Sequence, residues 1–395
     1  MAGGSGGSPV TADAPRIVDA TDRPAEEWDR LAARSAHGHP FQSHAWGELK
    51  RAAGWTPVRV IVELDGEPVA VASLLRRRLS RLRFGRRGPV QLYVPSGPVV
   101  LGREGPTANG SEGASGDSAD GAASAGPWAR ARGAAALAGL REVRRREGAM
   151  ILTVDPRWEK DGELAALLLP GGFRPAAREI QWSRTAMIVP LLSDAQEQHT
   201  LLRRSTANLV NKARREDVVT DQLDLSDETA RESAFEELYG MVNETARRVG
   251  ARAQGMAVQL AQWRALADAG LASFWFARVG GRRWLGNVLL HCGSVVVQDT
   301  WGAAPEADLS RIPANHLLQW EIIRWAAGEG FRGYDLGGVD AADARGLPRD
   351  PSHPLWNLFL FKHGFGAQGV EYVRAHESAA NALVRIAWNA VRRLS

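Results

Sequence analysis

The sequence predicts an α/β fold built twice, each half a mixed sheet flanked by helices. Alternating apolar runs joined by a two-residue turn occur early, in VRVIVELDGEPVAVASLL with Asp65-Gly66 at the turn. They recur in FWFARVGGRRWLGNVLL, with Gly280-Gly281 at the turn. Asp-Gly or Gly-Gly between such runs marks a hairpin, because type I′ and II′ turns need positive φ. The same order then follows each hairpin: strand, helix, strand, helix, strand.

In the first half a strand ends in YVPSGPVV, and a long helix runs from about Trp128 to Arg146 with an Ala/Leu face and an arginine-rich end. The strand AMILTVDP, another helix and a last strand after Gly171-Gly172 complete it. In the second half the order is SVVVQDTWG, the helix IPANHLLQWEIIRWAAGEG, the strand RGYDLGGV, the helix HPLWNLFLFKHGF and a final strand. Helices between about Asp194 and Gly270 open the second repeat. Ser205-Thr206-Ala207-Asn208 starts or interrupts one, and FEELYGMVNETARRVG forms another that stops at Gly250. This order is that of the N-acetyltransferase (GNAT) fold, so tandem GNAT-like domains are expected, with a cleft between them where ligand sites form. Residues 1–14 are expected to be a disordered tail, 15–192 the first domain and 193–372 the second. The segment 102–127, lacking large apolar side chains, is expected to be a disordered insertion. Residues 373–395 complete the first domain with a basic amphipathic helix, which docks there or meets a membrane surface.

Composition is that of a soluble globular protein, 44% hydrophobic and 24% charged. The start of the chain has no charged region leading into an apolar core, so no signal peptide or membrane span is expected there. A single cysteine, Cys292, excludes a disulfide framework and a multi-cysteine metal site, in keeping with the cytoplasm. Net charge is +4, but arginines cluster at 76–87, 203–215 and 385–393, which points to polyanionic ligands such as phosphates, RNA or the inner leaflet.

A CoA-using GNAT domain places a glycine-rich turn before the helix after its fourth strand, where backbone N–H groups hold pyrophosphate. In the first repeat that place holds the low-complexity insertion, and in the second it reads GAAPEADLSRIPANH. Neither fits, so no CoA is expected. No Walker loop, dinucleotide fingerprint, GxSxG elbow or paired-histidine metal motif is present.

Seven strings in order, PFQSHAWGELKRAAGW, YVPSGPV, LTVDP, RRSTANLVNKARRE, ETARRVG, YDLGGV and LFLFKHGFG, resemble the FemABX family of non-ribosomal peptidyltransferases. The resemblance runs from about Phe41 to Tyr372 and lacks the coiled-coil insertion of some members. It implies aminoacyl-tRNA as donor, and UDP-MurNAc-pentapeptide or lipid II as acceptor. It further implies an enzyme that needs no other cofactor and no metal, acting as a monomer in the cytoplasm, with peripheral contact at the inner membrane face.

By this resemblance Lys50 and Arg248 contact the phosphates of the acceptor. Lys362 lies near the tRNA acceptor end and the reacting ester, and Phe361 stacks on the terminal adenine or packs in the core. Asp155 closes a strand, and is either a turn and cap residue or a carboxylate that positions the acceptor amine and relays its proton. Trp46 is expected in the core, and Asp335, beside Gly337-Gly338, is expected to be structural. Val249 and Ala251 depart from the family's acidic and aromatic residues. Two other readings are an N-acyltransferase of another envelope or exopolysaccharide pathway, and a non-catalytic RNA- or membrane-binding scaffold.

Overall fold

The computed structural model describes residues 14–35, 38–79, 88–102, 127–181, 183–341 and 343–394. The expected disordered tail and the insertion at 102–127 fall almost wholly outside these residues, as do Arg81, Arg83, Arg86 and Arg87. The strands, in chain order, begin with β1 (Arg16–Asp19), β2 (Thr56–Leu64), β3 (Glu67–Arg78), β4 (Val90–Pro95) and β5 (Val99–Val100). Next come β6 (Ala149–Asp155), β7 (Arg174–Pro175), β8 (Thr185–Pro190), β9 (Val219–Gln222) and β10 (Ala272–Val279). The last are β11 (Arg282–Cys292), β12 (Val295–Ala303), β13 (Gly333–Asp335), β14 (Gln368–Glu371) and β15 (His376–Ala379). The helices are α1 (Ala25–Ala32), α2 (His44–Leu49), α3 (Pro127–Arg146), α4 (Ala195–Thr200) and α5 (Arg204–Arg215). They continue as α6 (Glu228–Arg248), α7 (Met256–Asp268), α8 (Ala314–Gly328), α9 (Trp356–His363) and α10 (Ala382–Leu394).

Both hairpins form where the glycine turns place them, β2 with β3 and β10 with β11. The eight-stranded sheet runs β1-β2-β3-β4-β6-β15-β7, with β5 paired to β3. The seven-stranded sheet, taken from its opposite edge, runs β9-β10-β11-β12-β13-β8-β14. The two orders match place by place. Each has one parallel pair, β4 with β6 and β12 with β13, and each next strand is antiparallel.

That next strand is exchanged. Chain leaving β7 crosses to the second sheet as β8, and chain leaving β14 crosses back to the first as β15. Thr185–Pro190, expected in a first domain ending at residue 192, therefore pairs in the second sheet with β13 and β14. Strand β15 and helix α10, expected to complete the first domain, lie against β6.

Helix α3 seals one face of the first sheet, burying Ala136, Leu137 and Leu140 with Val62, Leu74, Leu92 and Leu152. In the second unit α8 buries Leu318, Ile322 and Ile323 on one face of the sheet, and α6 and α7 bury Phe235 and Trp263 with Phe274. Each buried Leu, Ile, Val or Phe among them contributes about 1.5–3 kcal/mol. The helix expected between Pro156 and Gly171 is only a short 3₁₀ turn, Ala165–Leu167. Fully buried Trp158 and Leu168 pin this segment to the core. Among the described residues no helix is long and apolar enough to cross a membrane.

Candidate active site

Parallel strands β4 and β6 end together, with Pro95 opposite Asp155. Both crossover segments, 176–184 and 372–375, pass this end. They close a cavity of about 60 Å³ whose lining includes Ser96, Asp155, Arg157, Gln181, Arg184 and Tyr372. The strand exchange thus builds the walls of the cleft.

Asp155 is 7% exposed. Burial pushes its carboxyl up to about 7, against hydrogen bonds from Tyr93 and Gln181 that favour the anion. The Tyr93 hydroxyl donates to Asp155 Oδ2 at 3.2 Å, and Gln181 Nε2 donates to that hydroxyl at 2.9 Å. A carboxyl held near neutrality in a cleft can accept and return a proton at physiological pH.

Two residues on, Arg157 reaches across to the second sheet. Its Nη2 donates to Asp335 Oδ2 at 2.5 Å and to the Tyr372 hydroxyl at 3.0 Å, with the guanidinium 4.4 Å from the Tyr372 ring centroid. Asp335 closes β13 as Asp155 closes β6, so the repeat sets equivalent carboxylates at the ends of equivalent strands. Asp335 is buried and also accepts from Gly337 N at 2.8 Å, which fits the structural role expected of it. Gly337 has φ +82, a conformation that favours glycine.

Lys362, at the last turn of α9, is 6% exposed. Its Nζ donates to Gly337 O at 3.0 Å and Gly338 O at 2.8 Å. Burial lowers it to about 8, opposed by the negative charge of Asp335. Lys362 is therefore joined to Asp155 through the glycine turn, Asp335 and Arg157, and is not part of the cavity lining. The turn is anchored further on by Asp340, which accepts from Arg184 N, Thr185 Oγ1 and Arg345 at 3.1, 2.9 and 2.9 Å, and from Ser183 Oγ.

The remaining predicted residues lie apart. Trp46 is buried in α2 and stacks on Phe41, ring centroids 4.1 Å apart. Lys50 Nζ sits 3.9 Å over the Trp46 ring; burial lowers its pKa, against the pull of Asp299 on β12. Arg248, ending α6, pairs with Glu244 at 3.0 Å and donates to Ala304 O and Pro305 O just past β12. Phe361 packs edge-on against His316 and Phe365 beside the second core, centroids 5.0 and 5.3 Å away. Lys50 and Arg248 thus flank β12, while Asp155 and Lys362 flank the Arg157–Asp335 bridge. Arg157, Tyr93, Gln181 and Tyr372 were missed by sequence reasoning. Arg157 stands two residues beyond Asp155, but nothing local reveals a partner on the other sheet. No group of three or more His, Cys, Asp or Glu able to hold a metal ion occurs among the described residues.

The profile of the acetyltransferase (GNAT) domain family matches residues 202–345. No curated protein matches the chain. Among solved structures, FemX is similar over 95% of this chain and 100% of its own, with 17% identity and a TM-score of 0.72. The C-terminal domain of a putative lysylphosphatidylglycerol synthetase from Agrobacterium fabrum covers 94% of this chain and 96% of its own, at 12% identity and a TM-score of 0.51. A conserved protein of unknown function from Bacteroides thetaiotaomicron covers 90% and 96%, at 12% identity and a TM-score of 0.52. The matched order of the two sheets, the GNAT profile and the likeness to FemX along the whole chain agree: this chain has the tandem GNAT fold, in the arrangement that FemX shares.

Proposed function

We propose that the protein is an aminoacyltransferase, moving an amino acid from aminoacyl-tRNA to the side-chain amine of the stem peptide of a peptidoglycan precursor, either UDP-MurNAc-pentapeptide or lipid II. The observation that carries this reading is Asp155, a buried carboxyl raised to about 7 in a cleft walled by both crossovers. An incoming ammonium must lose a proton before its nitrogen attacks, and a nearby base of that strength suits the task. The ammonium gives one proton to solvent, the nitrogen–carbon bond then forms at the ester carbonyl, the carbon–oxygen bond to the tRNA ribose breaks, and a second proton from the nitrogen passes by way of Asp155 to the leaving ribose oxygen. The ester is already activated, so alignment and charge stabilisation suffice and no covalent enzyme intermediate is needed.

In this reading Lys362, set behind the cavity wall, adds a fixed positive charge to the field felt by the developing oxyanion, and the two carbonyls it binds keep that charge in place. Lys50 and Arg248, along β12, hold the acceptor phosphates, and Phe361 contributes a face for the terminal adenine. The missing pyrophosphate-binding turn in both repeats supports a donor other than CoA.

The test incubates the protein with a charged tRNA pool and each acceptor in turn, with products read by mass spectrometry. A gain of one aminoacyl residue that depends on tRNA supports the reaction and names the amino acid. No gain on either acceptor contradicts it and directs the search to other envelope amines.

A further inference from the structure

A second cavity lies at the seam between the two units. It holds about 300 Å³, against about 60 Å³ at Asp155, and shares no lining residue with that cleft. A volume of that order is at the lower end for small-molecule sites and suits a ligand smaller than a nucleotide. One wall is the last turn and C-cap of α1, with Asp29, Arg30 and Ala33. The other is an end of the second sheet: Leu271 just before β10, His291 on β11, Gly293 in the turn to β12 and Phe331 just before β13. This second wall is held in place from behind. His291 N donates to Leu271 O at 2.8 Å, and the His291 ring lies 5.5 Å from Trp325 and 5.7 Å from Phe331 between centroids. Ser273 Oγ is 3.0 Å from His291 Nε2, and burial lowers the ring to about 4, so it is neutral at physiological pH. Gly293 has φ +64, and a Cβ there would come 3.0 Å from Ala33 O, so at this point the two walls touch.

Two opposite charges in the α1 wall lack partners. Arg30 is exposed and Asp29 half-buried, and among the described residues neither forms an ion pair. Asp29 Oδ1 accepts from His44 N at 2.6 Å. Burial raises its carboxyl against that hydrogen bond and the charges of His44 and Arg59, and Arg59 is itself held by Glu48 at 2.8 Å. A half-buried carboxylate without a cation costs free energy that a positively charged ligand removes. The guanidinium stands on the next residue, about 3.8 Å away between Cα atoms. Past both charges the lining is apolar at Ala33, Leu271 and Phe331. A lone cation meets repulsion from Arg30, a lone anion meets it from Asp29, and an uncharged apolar molecule leaves both unpaired. An α-amino acid carries an ammonium and a carboxylate on one carbon, with its side chain as a third arm. We propose that this cavity binds a free α-amino acid with an apolar side chain, its ammonium at Asp29, its carboxylate at Arg30 and its side chain against Leu271 and Phe331. Bound there, the ligand contacts both units.

The measurement is isothermal titration calorimetry of the full chain with L-phenylalanine and L-leucine, with glycine, phenethylamine and phenylpropanoate as controls. At least one of the two amino acids should bind, and each control about tenfold or more weaker. Arg30→Gln and Asp29→Asn should each weaken binding by about tenfold or more. Arg30 is exposed, asparagine keeps an oxygen for His44 N, and circular dichroism checks that both variants fold. An Asp155→Asn variant should bind as tightly as the wild type. No heat from either amino acid up to about 10 mM overturns the proposal. So does unchanged affinity in the Arg30 or the Asp29 variant, or a control that binds as tightly. Loss of binding in Asp155→Asn would put the ligand in the cleft and overturn it as well. The assay contains no tRNA and no precursor, so its failure would leave the proposed transfer reaction standing.

Discussion

At the scale of single residues, the site works through burial. Asp155 is raised to about 7 because the ends of β4 and β6 and the two crossovers exclude water from it. Its cost to the fold has a defined sign. With a folded pKa above the unfolded value of 3.8, the native state holds more protons between about pH 4 and 7, so this group lowers stability as pH rises through that window. Asp155→Asn should therefore raise the free energy of unfolding at pH 8 by on the order of 1–4 kcal/mol, seen as a higher melting temperature, and leave it nearly unchanged at pH 4. Thermal denaturation at the two pH values checks this, and equal effects at both would contradict it. In the proposed reaction the same variant should lower kcat by about 10²–10⁴-fold, so stability and activity move in opposite directions. The sequence made Asp155 legible as a carboxylate at a strand end. It did not make legible its burial, or its contact with Tyr93, which arise only when β4 and β6 pair.

At the scale of elements, hairpins and long helices were legible because their signals are local. Asp65-Gly66 and Gly280-Gly281 have positive φ throughout, as the turns demand. Helix α6 ends just before Gly250, at φ +68. The segment after Pro156 was not legible, since its shape follows from where Trp158 and Leu168 must be buried and not from helical periodicity. Lys50 and Arg248 belong to this scale, each set by the end of a helix against β12. A charge-assisted hydrogen bond to phosphate contributes roughly 1.5–3 kcal/mol. Lys50→Ala and Arg248→Ala should each raise the KM for a precursor about 10–100-fold while changing kcat little. Steady-state kinetics with the acceptor varied decides this, and a fall in kcat at constant KM would remove both residues from acceptor binding.

At the scale of the whole molecule, the exchange of β8 and β15 makes the two units one structure and places the cleft where they cross. Nothing in TAMIVP or HESA reveals which sheet each strand joins, because a strand carries its face in its alternation but not its neighbour. The exchange predicts coupled unfolding. A chain cut after Tyr372 loses β15, the partner of both β6 and β7, together with α10. Its urea denaturation should split, the first unit melting well ahead of the second, and a single unchanged transition would show that β15 is dispensable.

The measurement that bears most directly on the cleft as catalytic centre is the pH dependence of single-turnover aminoacyl transfer, for the wild-type chain and for Asp155→Asn and Lys362→Met. With Asp155 acting ionised and Lys362 acting protonated, the rate should rise through about 7 and fall above about 8. Asp155→Asn should lose the rising limb and Lys362→Met the falling one, each at a much lower rate. Transfer at the wild-type rate, with both limbs intact in either variant, would place the chemistry elsewhere.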